Sequence, residues 1–236
     1  MSDRTTKRER DRERAPDNAA SPITFYFDYI SHNAYVAWHA LRPIADRHER
    51  EVEATPVLFA ALLDAHGSVG PAEIPAKTRW MIRDVARKAI DLGLPLAPPA
   101  SHPFRPLVPL RATAWFDDRG ERDLAVTALF AATWAHGLDV SDPAVVRQVL
   151  DEAGLDGEAA VRWSEQPEGK LRLRQDTEAA IARGVFGVPT MIADDRLFWG
   201  YDDLINLERY LRGDDPLERT ELPSWRHVRP TAQRRR

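Results

Sequence analysis

The chain has 236 residues, 43% of them hydrophobic, enough for one large core or for a small α/β domain carrying an insertion. Its formal charge of -4 is small and its acidic and basic residues are interspersed, which gives no electrostatic ground for a nucleic-acid-binding body. It contains no cysteine, so structural disulfides, thiolate metal sites and disulfide exchange by its own thiols are excluded.

Residues 1–22 mix Arg with Asp and Glu, hold almost nothing apolar, and read as a disordered tail without the apolar stretch of a secretory signal. No other run approaches bilayer length, and the cytoplasm follows by default. Order is expected from Ile23, where Ile-Thr-Phe-Tyr-Phe-Asp is short, aromatic and suited to a buried first strand. After a loop from Tyr29 to Asn33, the apolar residues Tyr35, Trp38, Leu41, Ile44 and Ala45 recur at helical spacing, with Ser31 or Asn33 as N-cap. Glu51 to Phe59 reads as a second strand interrupted by Pro56.

Helical patterns then dominate: Ala72 to Leu92, Glu121 to His136, Pro143 to Ala153, Glu158 to Glu165 and Glu168 to Arg183. The proline-rich stretch from Gly93 to Pro109 reads as an extended loop of the kind that borders a site. Val188 to Ala193 and Arg196 to Trp199, joined at Asp194-Asp195, carry a hairpin signature, and Asp203 to Leu211 reads as a short amphipathic helix. The order β-α-β, helical block, β-β-α predicts one α/β domain over 23–61 and 185–213, an all-helical insertion over 62–184, and a tail over 214–236 with a basic end at Arg234, Arg235 and Arg236.

Several segments carry a family resemblance in this order: Phe25-Tyr26-Phe27-Asp28-Tyr29-Ile30-Ser31, Pro56-Val57-Leu58, Glu73-Ile74-Pro75-Ala76-Lys77, and Pro103-Phe104-Arg105-Pro106-Leu107. Gly184-Val185-Phe186-Gly187-Val188-Pro189-Thr190 and Leu197-Phe198-Trp199-Gly200-Tyr201-Asp202 complete the set. They resemble the thioredoxin-like family that holds the DsbA oxidoreductases, the kappa-class glutathione transferases and the 2-hydroxychromene-2-carboxylate isomerases, and the last group fits best. The resemblance implies an α/β thioredoxin-like fold with a large all-helical insertion, glutathione or another low-molecular-weight thiol as cofactor, and a role in aromatic catabolism. It also implies a small-molecule substrate and the homodimeric assembly common in the family, while charge and hydropathy give no reason to expect a nucleic-acid or membrane partner.

Redox members place a Cys-x-x-Cys where this chain has Ser31-His32-Asn33-Ala34. A helix N-terminus offers unpaired N–H groups and a partial positive charge that stabilise a thiolate. With Ser31 there, the thiolate must come from a bound thiol, held by the Ser31 hydroxyl; Ser31 is the candidate catalytic residue, though an N-cap alone would also be serine. The resemblance makes Pro189 a cis-proline, with Val188 offering its backbone to a peptide-like ligand, against the alternative of an ordinary strand-start proline.

Asp202 matches the aspartate that takes the glutamyl ammonium of glutathione, or it is the N-cap of the last helix, and Tyr201 adjoins it. Lys77 matches a carboxylate-binding lysine, or it is a solvated helix-face residue. Three positions depart from the family pattern: Ser31-His32-Asn33 for Ser-Pro-Tyr, Gly67-Ser68 for Gly-Asn, and Phe104-Arg105-Pro106-Leu107 for Phe-Asn-Pro-Leu. Ser68 is the cofactor-contact candidate at the second, and Arg105 a substrate-carboxylate candidate at the third. His32, beside Ser31, is the second substrate-binding candidate: a base or, when protonated, a support for the anion site, with nothing in the sequence fixing its direction.

The remaining histidines, His39, His48, His66, His102, His136 and His227, show no ligand spacing, so no metal centre is expected. Trp38, Trp80, Trp115, Trp134 and Trp163 read as core, and Trp199 as a pocket wall. The implied function is a glutathione-dependent isomerase that interconverts 2-hydroxychromene-2-carboxylate and trans-o-hydroxybenzylidenepyruvate by reversible thiolate addition. The alternatives are a kappa-type transferase and a thioredoxin-fold binding protein without chemistry.

Overall fold

Alternation along the first strand decides which layers can form. In β1 (Ile23–Phe27), the side chains of Ile23, Phe25 and Phe27 pack into one buried cluster and Tyr26 into another, so both faces of the strand must be covered. The structure, a computed structural model, describes residues 21–220, 228, 229 and 231. The tail expected over 1–22 lies outside the described residues except for Ser21 and Pro22, as does most of the chain beyond Thr220, including Arg234 to Arg236. The described part of the C-terminal segment contains a single 3-10 turn, Pro216–Arg219, tied to the sheet by an Arg196–Glu218 ion pair of 2.6 Å.

After β1 come α1 (His32–Arg47), β2 (Val52–Pro56), α2 (Phe59–His66) and α3 (Pro75–Asp91). Then follow α4 (Leu107–Trp115), α5 (Arg119–Phe130), α6 (Pro143–Glu152), α7 (Gly157–Glu165) and α8 (Pro167–Ala182). The hairpin β3 (Thr190–Ala193) and β4 (Arg196–Trp199) and the helix α9 (Leu204–Leu211) close the fold. The four strands form one mixed sheet in the order β2-β1-β3-β4, with β1 parallel to β2 and antiparallel to β3. This is a thioredoxin-like α/β fold with a helical insertion between β2 and β3.

One face of the sheet buries Phe25, Phe27, Met191 and Phe198 against Trp38 and Leu41 of α1 and against insertion helices through Leu110, Leu129 and Phe130. Trp38 is fully buried, and its Nε1–H donates to Thr127 Oγ1 at 2.9 Å, joining α1 to α5. The other face buries Tyr26 and Ile192 with Leu62 of α2 and Ala180 of α8.

Register fixes where a site can lie. Phe27 sits opposite Pro56, Tyr26 opposite Thr190, and Thr190 opposite Trp199. The C-terminal ends of β1, β2 and β4 and the N-terminal end of β3 therefore share one end of the sheet. That end receives the loop into α1, the Val188-Pro189 segment and the Gly200 turn, and in open α/β sheets ligands bind outside the carboxyl ends of the strands.

Two helices differ from the sequence reading. The second strand stops at Pro56, and Phe59, expected to be its last residue, opens α2 instead. The chain leaves the sheet with its amides satisfied by side chains: Phe59 N–H donates to Asp28 Oδ2 and Leu58 N–H to Thr177 Oγ1. The loop expected through Pro109 ends earlier, at α4, where Pro109 sits in the first turn and its missing N–H has no intrahelical partner to lose. α5 runs on into a π-helical turn, Ala131–Ala135. Trp80, expected in the core, is 60% exposed, because α3 packs with its opposite side, through buried Val85, Lys88 and Ala89.

Candidate active site

The loop after β1 is built around a buried carboxyl group. Asp28 is 1% exposed and accepts N–H bonds from Ile30 and Phe59, at 3.1 and 2.9 Å, while its own carbonyl accepts from Ser31 N–H. Burial pushes the Asp28 carboxyl up to about 7, against the lowering effect of the two amide donors. Tyr29, fully buried, pairs its hydroxyl with Thr113 Oγ1 at 2.7 Å, and Trp134 Nε1–H donates to Tyr29 carbonyl oxygen at 2.8 Å. The loop is thus clamped by α4 and by the π-helical turn after α5.

These contacts aim Ser31 at the sheet end. Ser31 is the N-cap of α1, and Oγ accepts from Ala34 N–H at 3.1 Å. Using Oγ as an acceptor leaves its O–H to donate. The first two amides of α1, His32 and Asn33, have no hydrogen-bond partner among the described residues, so an N–H-lined, electropositive helix end surrounds the hydroxyl. The N-cap bond leaves the hydroxyl proton free, so the two sequence readings of Ser31 are compatible at this one side chain.

His32 is 7% exposed and packs edge-on against Trp134 with ring centroids 5.6 Å apart; His102 lies 6.4 Å from His32 and 5.6 Å from Trp134. Burial, reinforced by the His102 charge and opposed by Asp84, pulls His32 down to about 4, so it is neutral at pH 7. The expectation that a protonated His32 supports an anion is corrected on this point: the imidazole is desolvated between two rings. Its Nδ1 and the Asn33 Oδ1 are buried without a protein partner. His102 sits in the proline-rich loop, where the His102–Pro103 peptide is cis.

Val188–Pro189 is also cis, and Pro189 carbonyl oxygen accepts from Gly200 N–H at 2.9 Å. Val188 makes no backbone hydrogen bond among the described residues, so its amide groups stand unpaired beside the first residue of β3. Gly187 has no room for a side chain, since a Cβ there would meet Trp199 Nε1 at 2.7 Å.

Gly200, at φ 83, turns the chain out of β4 into the 3-10 turn Tyr201–Asp203. Because this turn intervenes, Asp202 is not the N-cap of α9, a correction to one of its two sequence readings; Asp203 precedes Leu204 and accepts from Trp199 N–H at 2.9 Å. Asp202 is 81% exposed at its side chain, and Oδ2 accepts from Lys88 Nζ at 3.0 Å. Lys88 also pairs with Asp84 at 2.8 Å and lies 5.0 Å over the Tyr201 ring.

Lys77, Ser68 and Arg105 are exposed, and their side chains make no hydrogen bond or ion pair among the described residues. Ser68 lies in the turn that ends α2, its N–H donating to Leu63 carbonyl oxygen at 2.9 Å after Gly67 at φ 58. Among the described residues no hydrogen bond or ion pair joins these three to Ser31. Sequence reading missed Asp28, Lys88 and His102 as site residues and gave Trp134 only a core role. The i,i+4 spacing of Asp84 and Lys88 was a readable signal, but its partner Asp202 lies 114 residues away.

The two buried groups set opposite pH dependences. Between pH 6.5 and about 4, an unfolded His32 binds a proton that the folded one refuses, so its contribution to stability is lost as pH falls through that window. Asp28 acts in reverse: the folded carboxyl holds its proton up to about 7 against 3.8 unfolded, so its contribution is full below 3.8 and declines as pH rises to 7. In urea titrations at pH 7.5 and 4.5, His32→Leu is expected to lose less stability on acidification than the native protein. An equal loss in both would contradict a buried neutral imidazole.

Residues 22–212 match the family described as the DSBA-like thioredoxin domain. The chain is 35% identical over 191 residues to the 2-hydroxychromene-2-carboxylate isomerase of Sphingobium xenophagum, covering 80% of this chain and 97% of that protein. Glutathione S-transferase kappa 2 of Caenorhabditis elegans is 27% identical over 183 residues, covering 73% of this chain and 81% of that protein. Among solved structures, a 2-hydroxychromene-2-carboxylate isomerase superposes with a TM-score of 0.74 at 28% identity, covering 81% of this chain and 94% of that one. A cysteine-free helix N-terminus capped by Ser31, at the same end of a β2-β1-β3-β4 sheet as a cis-proline, thus sits in a chain that belongs to the DsbA-like thioredoxin domain family.

Proposed function

We propose that the protein is a glutathione-dependent isomerase of the 2-hydroxychromene-2-carboxylate type, acting on aromatic unsaturated keto acids. The observation that carries this reading is the donor set at the start of α1: a hydroxyl with its proton free to donate and two unpaired amides, in a chain with no thiol of its own. Glutathione fits the residues present, because complementary groups for its thiolate, its amides and its ammonium lie at the same end of the sheet. An anion site lies at Ser31, an unpaired backbone for its amides at Val188, and an exposed carboxylate for its ammonium at Asp202. Bound glutathione would supply a nucleophilic thiolate for reversible addition to a conjugated double bond, which is chemistry without net redox.

The protein's part is to hold charge and orient. Ser31 O–H and the His32 and Asn33 N–H groups lower the cost of an anion at the helix end, so less of the thiol stays protonated at neutral pH. Val188 and cis-Pro189 fix the direction of a peptide-like ligand, and Tyr201 and Asp202 its amino end. The neutral His32, walled by Trp134 and His102 with its Nδ1 buried and without a protein partner, is assigned to the substrate side as an uncharged group. Exposed and unpaired, Arg105 is assigned to the substrate carboxylate, and Lys77 and Ser68 to the far end of the thiol.

Purified protein mixed with 2-hydroxychromene-2-carboxylate is expected to form trans-o-hydroxybenzylidenepyruvate only when glutathione is added, followed as an absorbance change. Equal rates with and without thiol would rule the reading out. The kappa-class relatives favour a second reading, in which a conjugate is released; a conjugation assay with halogenated aromatics separates the two.

A further inference from the structure

We infer that Lys88 is a positioning residue for the amino end of the bound thiol, acting through Asp202; this rests on the glutathione reading above and deepens it. Lys88 is 8% exposed although it is a lysine, and such burial requires partners. It has them on three sides. Asp84 lies one turn earlier on α3, Asp202 reaches in from the 3-10 turn after β4, and the face of the Tyr201 ring lies under the ammonium.

The asymmetry of the Lys88–Asp202 pair is the informative part. The lysine is anchored, with its side chain 10% exposed, whereas the Asp202 side chain is 81% exposed and sits on a single 3-10 turn. An exposed carboxylate on so short a turn would otherwise spread over its rotamers, and a ligand would have to order it. Lys88 takes Oδ2 and leaves Oδ1 without a hydrogen-bond partner among the described residues, so the orienting has been done before a ligand arrives.

Charge agrees with this geometry. Asp84, Lys88 and Asp202 together carry one net negative charge, which a single ligand ammonium neutralises. Without Lys88, two carboxylates from different elements would face each other with nothing to fix their separation. The pair also ties α3 of the helical insertion to the sheet end, so recognition of the amino end depends on both parts of the fold.

The test uses two ligands and calorimetry on the full chain: glutathione, and its analogue lacking the α-amino group. Lys88→Met is expected to weaken glutathione binding about tenfold while leaving the des-amino analogue within about twofold of its native Kd, and Lys88→Arg is expected to restore most of the loss. Equal weakening of both ligands would reduce Lys88 to a structural role and overturn the inference, as would unchanged or tighter glutathione binding. If Lys88→Met does not fold, the partly exposed Asp84→Asn carries the same comparison, with the same selective loss expected. Failure of the native protein to bind either ligand would overturn the glutathione reading itself, an outcome distinct from native binding that Lys88→Met leaves intact.

Discussion

Ser31→Ala is expected to lower thiol-dependent turnover by about 10²- to 10³-fold, the usual cost of removing one preorganised donor from a charge-stabilising site. The Ser31 hydroxyl has one duty in the structure, the N-cap, and a second in the proposed reaction, and the two can be separated. As N-cap it accepts from Ala34 N–H, and losing the cap costs roughly 1 kcal/mol of stability. As the proposed donor to the thiolate it acts on the reaction, and that loss would fall on turnover. Ser31→Asp keeps an acceptor for the cap but removes the donor and adds a like charge. It should therefore melt near the native temperature while being at least as inactive as Ser31→Ala. The readouts are glutathione-dependent isomerisation rate and thermal midpoint, measured on both variants. Native-like turnover in Ser31→Ala would leave the helix amides as the whole anion site and sink the assigned role of the hydroxyl.

Trp134→Ala is expected to be the most damaging single change for stability near the site. Trp134 is 4% exposed, and large aromatic to alanine changes in cores cost about 3–5 kcal/mol. For a chain of this size that lowers the melting temperature by roughly 6–20 °C. The loss has three parts: the packed ring, the Nε1–H bond to Tyr29 carbonyl oxygen, and the wall against which His32 and His102 rest. Trp134→Phe keeps much of the ring and removes only the donor, so it should cost about 1 kcal/mol, more if the buried carbonyl is left unpaired. Thermal melts of the two variants give the ordering, and an alanine variant as stable as the phenylalanine one would contradict the packing described.

Much of this architecture is legible in short segments. The first strand, the hairpin with its turn at Asp194-Asp195 and the long helix after Ser31 follow from alternation, turn residues and helical spacing within a few residues of each other. α2 and α4 escaped because they are short and their signals are masked. Phe59 continues an apolar strand run, and Pro109 sits in a stretch whose prolines read as loop. The mixed sheet order requires non-local pairing that no local pattern encodes.

The site divides the same way. Ser31, Pro189 and Asp202 are marked by motifs that span a few residues, and the fold gathers their segments at one sheet end. Trp134 and Lys88 enter only through packing across 105 and 114 residues, and His102 through its approach to both rings, so their contributions depend on the finished tertiary structure. The depressed pKa of His32 is of this kind too. Adjacency to Ser31 was visible, but the desolvation that keeps the imidazole neutral comes from the insertion.

The serine at the head of α1 has a consequence for how such a catalyst would fail and recover. A polypeptide whose reactive sulfur is borrowed has no cysteine to lose to sulfenic or sulfonic acid, so oxidants would silence it by emptying the pool of reduced thiol. Its activity would then follow the reduced fraction of that pool as a saturation curve. Fresh thiol would restore it at once, with no repair of the protein.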